Sequence, residues 1–307
     1  MMPGMDVLAD VVTAMKTGPA SSGRTEVRGP WGLRFEGSVG AGFHLVLQGT
    51  AWLLTPDADP IQLGPGDAVL LPRGLEHALA DHPDSPITDF DPAVDFDPET
   101  VSQGPGARAL LLCGTYRLDR ERPHPVLSKL PDVVVVPADP GRHRSLHTAI
   151  SMMGEELDAQ RPGAAAVVPA LVDALLVLIL RAWFENNDCP TDRGWARALT
   201  DPAVVQSLEL IHERPGAAWT VADLAADVGL SRAAFARRFT EAVGEPPLTY
   251  LSRWRMTTAA RLLRDHDRPL ATVAKEIGYT SEFAFAKAFK RDFGVPPGTY
   301  RKQLIPV

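Results

Sequence analysis

The sequence predicts an α+β protein: an N-terminal antiparallel β-barrel with a helical hairpin, followed by an all-α C-terminal domain. Three observations lead there. Between residues 24 and 137, short apolar runs alternate with Gly/Pro turns. After Pro140 the apolar period lengthens from two to between three and four. Near the C-terminus a phrase recurs, GEPPLTY at residues 244–250 and GVPPGTY at residues 294–300.

Composition bounds the reading. The 307 residues are enough for two domains, each with its own core. With 45% hydrophobic and 22% charged residues the chain is neither collagen-like, disordered nor mucin-like. Its two cysteines, Cys113 and Cys189, exclude a disulfide framework and a four-thiolate metal site, and imply a reduced compartment. Asp6 and Asp10 stand where a signal peptide would be basic, so the N-terminus reads as a short amphipathic helix. The most apolar run, residues 164–180, carries Pro169 and Asp173 and reads as shorter than the roughly 20 residues of a membrane span. A cytoplasmic protein with no membrane partner is expected.

Charge is distributed unevenly. Residues 201–307 hold 15 Lys+Arg against 12 Asp+Glu, a net of +3, which leaves −10 of the total −7 on the first 200 residues. From Ser231 onward the balance is 14 to 7, or +7. A basic C-terminal third on an acidic chain points to a polyanionic partner, or to a mixed-charge helical surface.

In chain order, residues 43–54 (FHLVLQGTAWLL) read as strand with Gly49 as punctuation, and residues 61–79 as two strands around Gly64-Pro65-Gly66. Residues 81–106 hold seven acidic residues in their first nineteen, five prolines and no Lys or Arg, which predicts an exposed loop. Strand-like runs resume at residues 107–118 and 133–137. Residues 143–160 and 164–186 then read as two helices split by Arg161-Pro162-Gly163. The second is apolar on nearly all sides, and needs either a partner chain or its own barrel to cover it. Residues 186–193 read as a linker.

The repeat extends beyond the quoted phrase. Ser231, Phe235, Ala236, Phe239, Gly244, Pro246, Pro247, Thr249 and Tyr250 recur fifty residues later as Ser281, Phe285, Ala286, Phe289, Gly294, Pro296, Pro297, Thr299 and Tyr300. Upstream, Ala225 and Gly229 answer to Ala274 and Gly278, so the second copy has one extra residue near Thr280. Each copy reads as helix, Gly-containing turn, helix. Thr220 with Asp223 predicts a capping box, Pro269 fits a first helical turn, and Ser231 and Ser281 cap the second helices. Residues 249–265 form one connecting helix, with Leu251, Trp254, Ala259 and Leu262 inward. The repeated phrase itself reads as an exit: Gly ends the helix, Pro-Pro turns, and Thr-Tyr reverses the chain.

These residues, from about Asp201 to Lys302, resemble the AraC/XylS family of bacterial transcriptional regulators. The resemblance rests on GYTSEFAFAKAFKRDFGVPPGTYRK with RWRMTTAARLL before it; Lys287 and Pro296 depart from the usual Arg and Ser. It implies two helix-turn-helix motifs that bind adjacent major-groove segments of double-stranded DNA. In such motifs the second helix presents its N-terminal, solvent-side residues to base edges. With the Phe pairs inward, the first copy turns Arg232, Ala233, Ala236, Arg237 and Thr240 toward DNA. Arg237 is the foremost base reader, because a guanidinium grips guanine O6 and N7 together. The second copy offers Glu282, Phe283, Ala286 and Lys287. Lys290, Arg291, Arg301 and Lys302 are expected at phosphates, or simply as solvated charges.

Residues 66–77 (GDAVLLPRGLEH) resemble the second motif of cupin barrels. In metal-binding cupins its His joins two histidines and a Glu of a first motif. Here GFHLVLQG offers only His44, with Val46 in place of the second His and no matching Glu. The metal set is incomplete, and no cofactor is expected. His44, Val46, Trp52, His77 and Cys113 are the candidate lining of a small-molecule effector pocket. The implied organisation is a cupin-like sensor over residues 1–140, a hairpin and linker over 141–190 that supports a homodimer, and a double helix-turn-helix domain over 200–303. A metal-dependent cupin enzyme with a DNA-binding tail is the alternative.

Overall fold

Alternating apolar residues place ten short strands in two facing sheets of the computed structural model, which describes residues 6–38, 40–91, 105–118, 124–159, 162–186, 194–265 and 268–303. The strands are β1 (Ser21–Arg28), β2 (Gly32–Phe35), β3 (Ala41–Gln48), β4 (Ala51–Thr55), β5 (Ala58–Leu63), β6 (Ala68–Leu71), β7 (His77–Ala80), β8 (Thr88–Asp89), β9 (Arg108–Tyr116) and β10 (Val134–Val136). One sheet runs β1-β9-β3-β6-β10 and the other β5-β4-β7-β2-β8. Val46, Val69 and Leu111 from the first meet Leu33, Leu53 and Leu79 from the second in a common core, and all are buried. Pairing is antiparallel except that β8 joins β2 in parallel. That edge strand comes from the acidic segment expected to be a loop; its residues 92–104 lie outside the described residues.

Two helices follow, with a short one, α2 (Pro125–Ser128), before β10. They are α3 (Arg144–Ala159) and α4 (Ala164–Asn186), the expected hairpin. The helix is as expected, but the reading of its apolar run as shorter than a membrane span is corrected. α4 continues through Pro169 for 23 residues, and is long and apolar enough to cross a membrane by length and composition alone. Pro169 removes one backbone N–H, but the remaining ladder and the packing of Val172, Leu175, Leu176, Ile179 and Leu180 hold the helix. Asp173 is the partner of Lys16, at 2.6 Å, and not a break. Only 28% of the most apolar stretch of α4 is buried.

Lys16–Asp188 make one unit; Met1–Met15 with Cys189–Val307 make the other. The second unit is helical among its described residues: α1 (Val7–Met15), α5 (Trp195–Ala198), α6 (Pro202–Glu213), α7 (Val221–Asp227), α8 (Arg232–Val243), α9 (Pro247–Asp265), α10 (Leu270–Glu276), α11 (Glu282–Phe293) and α12 (Pro297–Gln303). The amphipathic α1 buries Val7, Leu8, Val11 and Val12. It packs on α6 and α9, with Arg264 donating to the Ala14 carbonyl at 3.2 Å. Of the linker expected over residues 186–193, Asn186 ends α4, and residues 187–193, Cys189 among them, lie outside the described residues.

Candidate nucleic-acid interface

Each copy of the repeat builds the same two-helix unit from the same local chemistry. Thr220 and Asp223 form the capping box at the start of α7: Asp223 N–H donates to Thr220 Oγ1 at 3.1 Å, and Thr220 N–H to Asp223 Oδ2 at 3.0 Å. The Thr220 hydroxyl, 2.7 Å from Asp223 Oδ2, and then the Thr220 N–H hold the Asp223 carboxyl below its ordinary range. The second copy lacks such a box. Pro269 is the residue just before α10, not its first turn, and offers no side-chain acceptor. Gly229 (φ 68°) and Gly278 (φ 86°) make the turns. Ser231 and Ser281 then cap α8 and α11, accepting from Ala234 N at 3.3 Å and Ala284 N at 3.1 Å.

The Phe pairs fix which face of each second helix is left for a partner. Phe235, Phe239, Phe285 and Phe289 are fully buried, on α9 and on the short helices that precede them. The outward face of α8 carries Arg232, Ala233 and Arg237, all exposed, with Ala236 and Thr240 half-buried. Thr240 spends its hydroxyl on the Ala236 carbonyl at 2.7 Å. On α11 the exposed residues are Glu282, Phe283, Ala284, Lys287, Lys290 and Arg291, with Ala286 half-buried. Phe283 is 81% exposed. Ala284, on this face too, was missed by the sequence reading.

Basic residues divide into held and projecting ones. Arg238 is half-buried and bonds the Asp201 carboxylate at 2.5 Å. Asp201 also caps α6 through Ala203 N and Val204 N. Burial raises its pKa, but Arg238 and the two N–H groups outweigh this and hold the carboxyl below its ordinary range. Arg255 braces the loop before α7, donating to the carbonyls of Pro215 at 2.7 Å and Ala217 at 2.8 Å. Arg301, expected at a phosphate, is half-buried and donates to the Arg268 carbonyl at 2.5 Å. Lys302 is exposed.

The repeated GEPPLTY and GVPPGTY segments are helix starts as much as helix exits. Gly244 and Gly294 close α8 and α11 in the left-handed conformation. Pro247 and Pro297 are already the first residues of α9 and α12, so Thr-Tyr lies inside a new helix instead of reversing the chain. Tyr250 is buried, its hydroxyl 2.7 Å from His212 Nε2.

The other unit holds a cavity of about 530 Å³ that contains three of the five expected residues, His44, His77 and Cys113. Register puts His44 on β3 directly opposite Cys113 on β9. Val46 points inward too, but lies in the packed core. Trp52 lines no part of the cavity: Ala51 and Leu53 take the inward positions of β4, and period two turns Trp52 outward. The two imidazoles touch each other, Nε2 to Nε2, at 2.6 Å. His77 Nδ1 lies 2.7 Å from the Leu75 carbonyl, so it carries the proton and donates. His77 Nε2 is then the acceptor, and His44 Nε2 the donor. His44 Nδ1 is left as a buried acceptor with no hydrogen-bond partner. Burial, and for His44 the neighbouring His77, lowers both pKa values and keeps the pair neutral. A metal does not fit: the Nε2 atoms are spent on each other, and no group of three His, Cys, Asp or Glu among the described residues could hold one.

Comparison with known proteins agrees with both halves. A cupin family model matches residues 6–185, and a helix-turn-helix domain model matches residues 224–303. An AraC-like transcription regulator of Streptomyces lividans is 35% identical over 97% of this chain and 98% of its own length. A second, from Streptomyces antibioticus, is 34% identical over 98% of this chain and its full length. The HTH-type transcriptional regulator MtrA of Neisseria gonorrhoeae is 30% identical over 97% of this chain and 99% of its own. These relatives are regulators and not enzymes, and theirs is a family of soluble transcription regulators, consistent with the cytoplasm. The chain belongs to the AraC family of transcriptional regulators, with an N-terminal cupin domain and a C-terminal DNA-binding helix-turn-helix domain.

Proposed function

We propose that α8 and α11 read two neighbouring major-groove segments of one DNA site, and that a small molecule in the cupin cavity controls occupancy of that site. The observation that carries the DNA reading is the matched pair of outward faces. Arg232, Ala233 and Arg237 on one helix, and Glu282, Phe283 and Lys287 on the other, are exposed while the Phe pairs are buried. Lys290 and Arg291 extend the second face for phosphates.

Selection of binding sites from a randomised duplex pool, with the full chain, tests this. A site two groove segments long is expected, bound more weakly as salt rises because phosphate contacts release counterions. Salt-independent binding would instead make the helical unit a protein-interaction module. Control by a ligand requires different affinities for two states of the protein. The cavity around His44 and His77 supports that reading by its size, which suits a small molecule.

Homodimer formation is proposed through the hairpin. Val167 on α4 is 37% exposed and Met152 on α3 is 46% exposed, beside half-buried Val168 and Leu171. Such apolar surface is covered in solution by a second copy. Light scattering on the full chain should give twice the chain mass, and Val167→Asp should return it to a monomer. A monomeric parent protein at micromolar concentration would remove this part of the proposal.

A further inference from the structure

The two outward-facing helices, α8 and α11, belong to separate copies of the repeat, and two joints tie those copies together. One is covalent: α9 leads from the exit of α8 to α10. The other is a backbone contact between the loop before α7 and the turn after α10. A Cβ on Gly278 would meet the Gly216 carbonyl oxygen at 2.7 Å, and one on Gly216 would meet the Glu276 carbonyl oxygen at 2.5 Å. The two main chains therefore approach so closely that neither glycine has room for a side chain. Arg255, half-buried on α9, stands at this joint. It donates through Nε to the Pro215 carbonyl at 2.7 Å and through Nη2 to the Ala217 carbonyl at 2.8 Å, the two neighbours of Gly216. The same Nη2 lies 3.0 Å from where a Gly278 Cβ would be. One guanidinium thus meets the first-copy loop, the connecting helix and the second-copy turn. Burial lowers its pKa, and Tyr279 of that turn only partly offsets this. Its planar fork fixes direction as well as distance, which a single flexible donor does not.

We propose that Arg255 is a positioning residue for DNA reading. Its clamp on the 215–217 loop fixes the separation and phase of α8 and α11, and with them the spacing of the two groove segments in a bound site. A single covalent link would let the copies swing about it; a second attachment removes that freedom. Two linked readers gain affinity from each other only where geometry lets both engage. One inserted base pair carries the second segment about 3.4 Å along the duplex and roughly 35° around it. A clamped pair cannot follow that displacement, and a hinged pair can. That the spacing is read on DNA rests on the two-segment reading above; that Arg255 holds the two helices does not.

Duplexes carrying the selected site with one base pair added or removed between its segments test the assignment on the full chain. The parent protein should bind them about a hundredfold more weakly than the selected spacing, the scale of gain that linkage supplies. Arg255→Met keeps an apolar stem and removes the fork. It should bind the selected spacing about tenfold more weakly, lose only about tenfold more on the shifted duplexes, and keep the parent's base preference within each segment. Gly216→Ala opens the same joint without touching Arg255 or either outward face, and should shrink the spacing penalty in the same direction. Melting curves establish that each variant is folded. Spin labels on Ala233→Cys and Ala284→Cys, in a Cys189→Ser background, supply a readout without DNA; both positions are exposed, and Cys113 is buried. The distance distribution between the labels should be narrow in the parent and broad in Arg255→Met. A folded Arg255→Met with the full spacing penalty and an unbroadened distribution overturns the proposal and leaves the two-segment reading. So does a parent protein that binds shifted and selected spacings of a two-segment site equally. A selected site of one segment sinks the two-segment reading instead, and the label distances then decide alone whether Arg255 holds the two helices.

Discussion

Arg237 and Arg238 are adjacent in sequence and serve opposite ends. Arg238 is held by Asp201 across 37 residues of chain, whereas Arg237 projects from α8. Replacing Arg237 with Ala should relax base preference at one position of the selected site, at about 1–3 kcal/mol, without lowering the melting temperature. The reverse pattern is expected of Asp201→Ala, which removes the α6 cap and the Arg238 partner. It should cost about 2 kcal/mol of stability, at the upper end of the range for a lost cap, and leave base preference intact. The outward side of α8 was legible because Phe235 and Phe239 set the helical wheel. The fate of Arg238 was not, because its partner lies on another helix that no local pattern names. Phe283 adds a second residue-scale test. On α11, the helix proposed to enter the groove, the apolar complement of an exposed Phe would be the C5-methyl group of thymine. A thymine opposite α11 is expected; exchanging it for deoxyuridine should cost about 1 kcal/mol, the worth of one buried methyl. In Phe283→Ala the same exchange should cost nothing, and an equal cost in both proteins would place Phe283 away from the base.

The two turns, read as the same element in sequence, differ in what surrounds them. Gly229 and Gly278 share a left-handed φ, but a Cβ on Gly229 meets nothing within 4 Å, whereas on Gly278 it meets the Gly216 carbonyl oxygen at 2.7 Å. Gly229→Ala should therefore cost only the backbone term, about 1 kcal/mol. Gly278→Ala should cost that plus displacement of the loop that Arg255 braces, and denaturant melts of the two variants should differ clearly. The duplicated helices were legible because capping, glycine and Phe spacing all point the same way. The starts of the helices that follow them were not. Pro247 and Pro297 look like turn residues, yet proline is also suited to a first helical position, and only the following apolar spacing decides between them. The helix through Pro169 was legible, because the apolar spacing continues past a residue that ordinarily breaks a helix and packing of one face outweighs a single missing hydrogen bond.

Across the whole molecule, the acidic first 200 residues and the basic tail were visible in the sequence, and so was the division into a β part and a helical part. The place of α1 was not: amphipathic spacing says that a face is buried, never against what. Its structural partner, α6, makes an acid-sensitive arrangement. His212 is buried, stacked on Trp254 at 3.7 Å, with Nε2 at the Tyr250 hydroxyl and Nδ1 3.4 Å from Asp10. Burial lowers its pKa, and the Asp10 carboxylate only partly restores it. In the other unit the pKa values of His44 and His77 are lowered as well. A histidine depressed in the folded state binds its proton more readily when unfolded, so the unfolded state takes up more protons as the solution is acidified. The stability these groups contribute is complete above the ordinary histidine pKa of about 6.5, and is lost as pH falls below it toward the folded value, by up to about 1.4 kcal/mol per pH unit for each proton. Asp201 and Asp223, also depressed, lose their contribution only near and below pH about 4, outside this window. Calorimetric melts between about pH 7.5 and 5.5 should therefore show both units losing stability. In His212→Gln the helical unit should start lower and lose its slope, while the cupin unit keeps its own. A helical unit equally acid-sensitive with and without His212 would assign the proton uptake to another group.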